Sequence, residues 1–424
     1  MSHLSRRQGF LVGAGLLATP ALARAQEAEN RAELIRGFSR ARLNRFAPAM
    51  AREIEANRFL GAVALIARDG HVVFHEAFGH QDMAKQRPMT RESIFLMASM
   101  TKPITSVAAM MLIEEGKLQL RDNIAQYLTE LRDLRVLGPN GELQPLARPV
   151  TVQDLLRHSS GFVYAAAAPA PIREAYERHD IEARRGPVST EDMLRNLGTI
   201  PLAFQPGTQF FYSISTDVLG LLLERAAGQR LDQLIEQRIT APLGMRDTVW
   251  WVDDARAPRL AEAPDADPLK ASMWESYRIR NNEAGRSYLK GGAGMVGTSA
   301  DYHRFAQMLC NGGEFEGRRY LAANTVRFMM SNHIVGMGGT PAASTGPGYG
   351  FGLGFGVRLA DGMAVAPGSP GDAMWAGAWG TSFTIDRAER LVGVFMAQGP
   401  THRVHTRMLF KNLVYGAMVG DGRA

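Results

Sequence analysis

The stretch Phe95-Leu96-Met97-Ala98-Ser99-Met100-Thr101-Lys102-Pro103 puts a serine three residues before a lysine, where an apolar helical pattern begins. The helix starts near Ser99, carries Val107, Ala108, Met111 and Leu112, and stops at Gly116, a residue suited to the left-handed end of a helix. Positions i and i+3 share a helix face, so the Ser99 hydroxyl is expected one turn below the Lys102 amine. Backbone N–H groups at a helix start lack intrahelical partners and can polarise a carbonyl. A lysine can release its proton when desolvated and an arginine cannot, and only six of the 48 basic residues are lysines. The spacing is short, and 19 serines with six lysines give ~0.3 matches by chance. A second match does occur, at Ser287-Tyr288-Leu289-Lys290. It leads into Gly291-Gly292-Ala293-Gly294, which cannot hold a buried helix, so Ser287 and Lys290 read as surface residues. On spacing alone, Ser99 reads equally well as an ordinary N-cap.

On the N-terminal side, apolar residues recur at helical spacing from Ala32 to about Asn57. Two strand-like runs, Ala62 to Arg68 and His71 to Phe78, meet at the hairpin signal Asp69-Gly70. On the C-terminal side the pattern is mostly helical: Thr151 to His158, Ser189 to Leu197 and Thr216 to Ala227, which ends at Gly228. Pro- and Gly-rich connections are expected at Ala165 to Pro171 and Gly336 to Gly348. Strand signals return at Phe351 to Leu359, Thr381 to Ile385 and Leu391 to Met396, with a turn at Asp386 to Arg390. A last helix is expected over about Arg403 to Val419. This order implies an α+β fold: one antiparallel sheet built from both chain ends, residues 26–110 and 340–424, with a mostly helical region, 111–339, inserted.

The 424 residues, 46% hydrophobic and 21% charged, suit a folded chain with a large core. The lone cysteine, Cys310, excludes an internal disulfide framework. Residues 1–25 carry Arg6, Arg7 and Arg24 and no acid, so half of the net charge of +6 lies there. The remaining +3 is too little for a nucleic-acid binder. Arg6-Arg7, the uncharged run from Gly9 to Ala23 and Ala23-Arg24-Ala25 read as an export signal of the twin-arginine type, removed after about Ala25. The Phe10-Leu11 pair lies one position late for that route, so the general secretory path stays open. The run is shorter than the ~20 residues needed to span a bilayer, and no stable membrane anchor is expected. The protein is expected in the periplasm.

Two further motifs give Ser99 its meaning. Pro206-Gly207-Thr208-Gln209-Phe210-Phe211-Tyr212-Ser213-Ile214 sets Tyr-Ser-x just before a helix. Trp375-Ala376-Gly377-Ala378-Trp379-Gly380-Thr381 enters a strand. With Ser-x-x-Lys, in this order, the chain resembles the serine β-lactamase and penicillin-binding protein superfamily. Within it, the chain is most similar to the class C β-lactamase-like carboxylesterases, the family VIII esterases. Thr151 to Gly161, Pro242-Leu243-Gly244-Met245 and Gly291 to Asp301 look like that family too, and the likeness runs from about Ala32 to Val419. The resemblance implies a β-lactamase-like fold, with Ser99 as nucleophile and Lys102 and Tyr212 as the groups that move its proton. It implies an oxyanion hole from the backbone N–H groups of Ser99 and Ala378. Trp375, Ala376, Gly377 and Ile214 would border the substrate pocket.

The departures from the lactamase pattern matter most. Ile214 stands where a lactamase has asparagine, and Trp375-Ala376-Gly377 stands for Lys-Thr-Gly. The first removes an amide that meets a substrate side chain. The second removes the cation that meets a carboxylate and leaves an apolar wall. The expected function is therefore hydrolysis of short-chain carboxylic esters through an acyl-enzyme, with a weak leak to β-lactams. A class C-type β-lactamase or D-amino-acid peptidase is the alternative enzyme. A non-catalytic penicillin-binding-type sensor or scaffold is the alternative of another class, marked by acylation without turnover. A small-molecule ester is the expected partner, with no metal and no cofactor. Gly-x-Ser-x-Gly is absent, His75-Glu76 lacks the zinc-protease spacing, and Gly291 to Gly297 lacks the Lys-Ser/Thr ending of a phosphate loop. His158 reads as a helix-end histidine and the 21 methionines as core filler.

Overall fold

A computed structural model describes residues 33–271 and 288–420. Its centre is a seven-stranded antiparallel sheet. The strands are β1 (Gly61–Arg68), β2 (His71–Gly79), β3 (Tyr349–Phe351), β4 (Gly356–Arg358), β5 (Ala373–Ala376), β6 (Ser382–Asp386) and β7 (Leu391–Ala397), in the order β3-β4-β5-β6-β7-β1-β2. The two chain ends meet where β7 pairs with β1, Leu391 opposite Arg68 and Ala397 opposite Ala62. Asp69 and Gly70 both adopt positive φ, 54° and 75°, as a two-residue hairpin turn requires.

The period of two along a strand divides the core. Val63, Leu65 and Ala67 of β1 join the main core, while Ala62, Ala64 and Ile66 face α1 (Phe46–Glu55) and the C-terminal helix Arg403–Ala417. On the first face, the helix Thr101–Glu114, here α2, is buried without a break from Thr101 to Leu112. A helix buried on every side belongs in the middle of a fold. It packs on α3 (Ser215–Ala227), which ends in left-handed Gly228 at φ 66°. Farther along the chain α4 (Ser299–Cys310) lies against β1, β6 and β7 although it falls within the stretch read as the inserted helical region. The last is α5 (Arg403–Ala417).

Several local expectations are corrected. Ala32 to Asn57 is not one helix: a small hairpin, Leu34–Ile35 with Phe38–Ser39, turns at Arg36 and Gly37, both at positive φ. Phe351 to Leu359 is not one strand. Gly354, at φ 99°, folds it into the β3–β4 hairpin, where a Cβ would stand 2.4 Å from Ser106 Oγ of α2. The segment that enters the strand Ser382–Asp386 is itself preceded by a strand, β5, of Ala-Met-Trp-Ala. The two expected loops contain short helical turns, Ala165–Ala167 and Pro341–Thr345, and the first runs into the helix Ala170–Arg178. Lys290 is buried, its ammonium donating to the Glu182 carbonyl, because the glycines after it let the backbone pass between helices. Ser287 and the expected export signal lie outside the described residues.

Candidate active site

Ser99 sits in a single 3-10 turn, Ala98–Met100, that runs directly into α2. Ala98 holds φ at 44°, a left-handed conformation that costs a non-glycine residue roughly 1–3 kcal/mol. Neighbours fix the turn. The Thr101 hydroxyl donates to the Ala98 carbonyl at 2.8 Å and accepts the Met295 N–H at 3.1 Å. Before the turn, Phe95–Leu96 pairs with Val296–Gly297. The serine is thus held up on a strained corner, half-buried.

Lys102 is completely buried, one turn on. Its Nζ donates to Ser99 Oγ at 3.3 Å, Tyr164 Oη at 3.0 Å and the Gly292 carbonyl at 2.7 Å. Tyr212 Oη donates to Ser99 Oγ at 2.8 Å, and the Lys102 ammonium stands 4.7 Å from the centre of its ring. Two groups able to exchange protons therefore converge on one hydroxyl, the arrangement that activates a weak oxygen nucleophile. Tyr164 is the residue that reading the sequence missed. It lies three residues beyond the Ser159-Ser160-Gly161 stretch, and only folding brings it to Lys102, 62 positions away. Burial, with the Tyr212 hydroxyl beside it, holds its pKa well above the ordinary tyrosine value, so it stays a neutral phenol.

His158 follows the short helix Val152–Leu156 at φ 57° and is fully buried, a helix-end residue as expected. Its Nδ1 meets Ser213, with the N–H at 3.3 Å and Oγ at 3.2 Å, and its ring lies 4.8 Å from that of Tyr212. Burial and the Lys102 charge hold its pKa well below the usual histidine value. A neutral ring thus backs Tyr212.

The third motif reaches Ser99 from the sheet. The end of β5 lies against the serine turn so closely that a Cβ on Gly377 would stand 2.3 Å from the Met97 carbonyl oxygen. Thr381 anchors the loop, its carbonyl accepting the Gly377 N–H at 2.8 Å and its hydroxyl donating to the Met97 carbonyl at 3.3 Å. Among the described residues nothing accepts the Ala378 N–H, on the half-exposed turn just past the strand. Trp375 packs on Tyr212 and Phe351, with ring centres 5.2 and 5.1 Å away. Trp375 is 4% exposed and lies directly beside Tyr212, whereas Ile214, 2% exposed, lies in the core. For Ile214 this corrects the expected pocket position: at the N-terminus of α3 its side chain turns into the core. Ala376 remains partly exposed.

Comparison with known proteins gives this geometry a family. A family model described as Beta-lactamase matches residues 44–413. Esterase EstB of Burkholderia gladioli is 32% identical over 354 residues, 79% of this chain and 85% of the relative. An uncharacterized protein of Mycobacterium tuberculosis is 33% identical over 370 residues, 82% of this chain and 88% of the relative. The solved structure of EstCE1, a hydrolase with promiscuous acyltransferase activity, superposes with a TM-score of 0.74 at 28% identity, over 89% of this chain and 98% of its own. The family match runs from before the first strand of the sheet into its last helix, and on that ground the chain belongs to the β-lactamase family.

Proposed function

We propose that the protein is a serine carboxylesterase that hydrolyses short-chain esters through an acyl-enzyme on Ser99. The observation that carries the reading is the meeting of Tyr212 Oη and Lys102 Nζ on Ser99 Oγ at 2.8 and 3.3 Å. Ser99 attacks the ester carbonyl and passes its proton through Lys102 and Tyr212 to the leaving alcohol. The N–H groups of Ser99 and Ala378 face the developing oxyanion. Water then attacks the acyl carbonyl, its proton passes through the same pair to Ser99 Oγ, and the Oγ–acyl bond breaks to release the acid. Similarity to Esterase EstB supports ester over amide chemistry, as does the apolar Trp375 at the position of the lactamase lysine. Residues 1–25 act as an export signal that delivers the enzyme to the periplasm, which mass spectrometry of the exported protein tests by a mature N-terminus at Gln26.

The deciding experiment measures kcat/KM for p-nitrophenyl butyrate and for nitrocefin side by side, with Ser99→Ala as control. The ester is expected to lead by at least about tenfold, since a charge-assisted hydrogen bond to a lactam carboxylate is worth ~1.5–3 kcal/mol and Trp375 cannot make one. Ser99→Ala should abolish both activities. A higher value for nitrocefin would identify a β-lactamase, and a burst of acylation without turnover would identify the sensor or scaffold.

A further inference from the structure

Lys102 directs its three ammonium hydrogens to Ser99, Tyr164 and Gly292, and the contact with the Gly292 carbonyl is the shortest, at 2.7 Å. That carbonyl belongs to a turn, Gly291-Gly292-Ala293, squeezed between α2 and α3 and closed by the Gly294 N–H donating to the Lys290 carbonyl at 3.0 Å. A Cβ on Gly291 would stand 2.7 Å from the Thr216 carbonyl oxygen, and the Thr105 hydroxyl donates to the Gly291 carbonyl at 2.7 Å. The Gly292 N–H is donated to Asp217 Oδ1 at 3.1 Å.

Asp217 lies in the first turn of α3, five residues after Tyr212, and is 3% exposed. Among the described residues no cation lies within ion-pair distance of its carboxylate. Burial pushes its pKa up, while the charge of Lys102 pulls it down. A carboxylate placed so deep without a salt bridge costs stability, and its direct contact is with the residue that receives Lys102.

We infer that Asp217 is a positioning residue: by holding the Gly292 N–H it fixes the Gly292 carbonyl, and so aims the Lys102 amine at Ser99. It touches neither the serine nor the substrate. The inference rests on Ser99 being the nucleophile and on Lys102 belonging to the relay that moves its proton. The geometry ties the two residues closely, because a Cβ on Gly292 would stand 2.9 Å from Asp217 Oδ2.

The test measures kcat and KM with p-nitrophenyl butyrate for Asp217→Ala, Asp217→Asn, Gly292→Ala and the double variant Asp217→Ala/Gly292→Ala. Ser99→Ala and Lys102→Ala run alongside. Sites are counted by titration with a serine-reactive phosphonate, and folding is followed by thermal denaturation. Asp217→Ala should lower kcat ~10–100-fold with KM within about twofold, the signature of a misplaced catalytic group. Asp217→Asn, which keeps an acceptor oxygen, should return to within about threefold of wild type. Gly292→Ala should be impaired, and the double variant no worse than Asp217→Ala, because the added methyl then has room. If Asp217→Ala does not fold, the contrast between Asp217→Asn and Gly292→Ala decides. Wild-type kcat in Asp217→Ala, an equal loss in Asp217→Asn, or a loss confined to KM would overturn the inference. Turnover by Ser99→Ala or Lys102→Ala would instead overturn the reading of the site on which it rests.

Discussion

At the scale of single residues, a serine hydroxyl becomes a nucleophile only if its proton has somewhere to go. Lys102 and Tyr212 both reach Ser99 Oγ, but they differ in kind. A buried lysine can exist as a neutral amine, whereas an arginine at the same place keeps its charge. Lys102→Arg should therefore lose kcat nearly as badly as Lys102→Ala, by roughly a hundredfold or more, and Tyr212→Phe should lose a comparable factor. Steady-state rates with p-nitrophenyl butyrate check both, and an active arginine variant would reduce Lys102 to a fixed charge. Tyr164 and the Gly292 carbonyl complete the lysine's surroundings. Neither was legible from sequence, since nothing in a tyrosine 62 residues away, or in a glycine 190 away, marks a partner.

At the scale of elements, the site is a junction of one helix start, one strand end and one helix entry. Ala98 accepts a left-handed φ because the Thr101 hydroxyl and the Phe95–Leu96 pairing hold the turn from both sides. Gly377 is what lets β5 approach that turn. Gly377→Ala would set a methyl 2.3 Å from the Met97 carbonyl oxygen, so β5 must retreat and carry the Ala378 N–H with it. Loss of one oxyanion donor costs ~100–1,000-fold in kcat. The variant should show a loss of that order with its melting temperature lowered by only a few degrees, measured by kinetics and thermal denaturation. Near-normal kcat would free Ala378 from the oxyanion role. The helix α2 was readable because Ser99 to Gly116 carries its own start, apolar content and stop. The strand β5 was not: four residues without alternation become a strand because β4 and β6 supply hydrogen bonds on both sides.

At the scale of the whole molecule, the sheet is closed by strands more than 320 positions apart, and a buried polar cluster secures the C-terminal portion. Asp372, wholly buried, meets Arg358 at 2.8 Å, Lys411 of α5 at 2.9 Å and the Tyr349 hydroxyl at 2.9 Å. It thereby ties β3, β4, β5 and α5 together. Asp372→Ala would strand two cations in the interior, so unfolding in urea should require about 3–5 kcal/mol less. The folded fraction should keep its esterase turnover, because the cluster touches no reacting group. A loss below about 1 kcal/mol would show that water reaches and satisfies the cations.

What the amino-acid order determined by itself is whatever local chemistry encodes. The Asp69-Gly70 turn, the i, i+3 placing of Ser99 and Lys102, the apolar content of α2 and the Gly228 stop all depend on residues within a few positions of one another. Trp375-Ala376-Gly377 in place of Lys-Thr-Gly was likewise readable in the motif itself. Tertiary structure alone decided the rest: that Lys290 is buried, that Ile214 turns inward, that the run from Ala32 breaks into a hairpin and helices, that Tyr164 and Gly292 meet Lys102, and that Asp217 holds Gly292. Those outcomes depend on which surfaces meet across long separations in the chain. A side chain's burial and its hydrogen-bond partners are properties of the neighbours that folding brings to it.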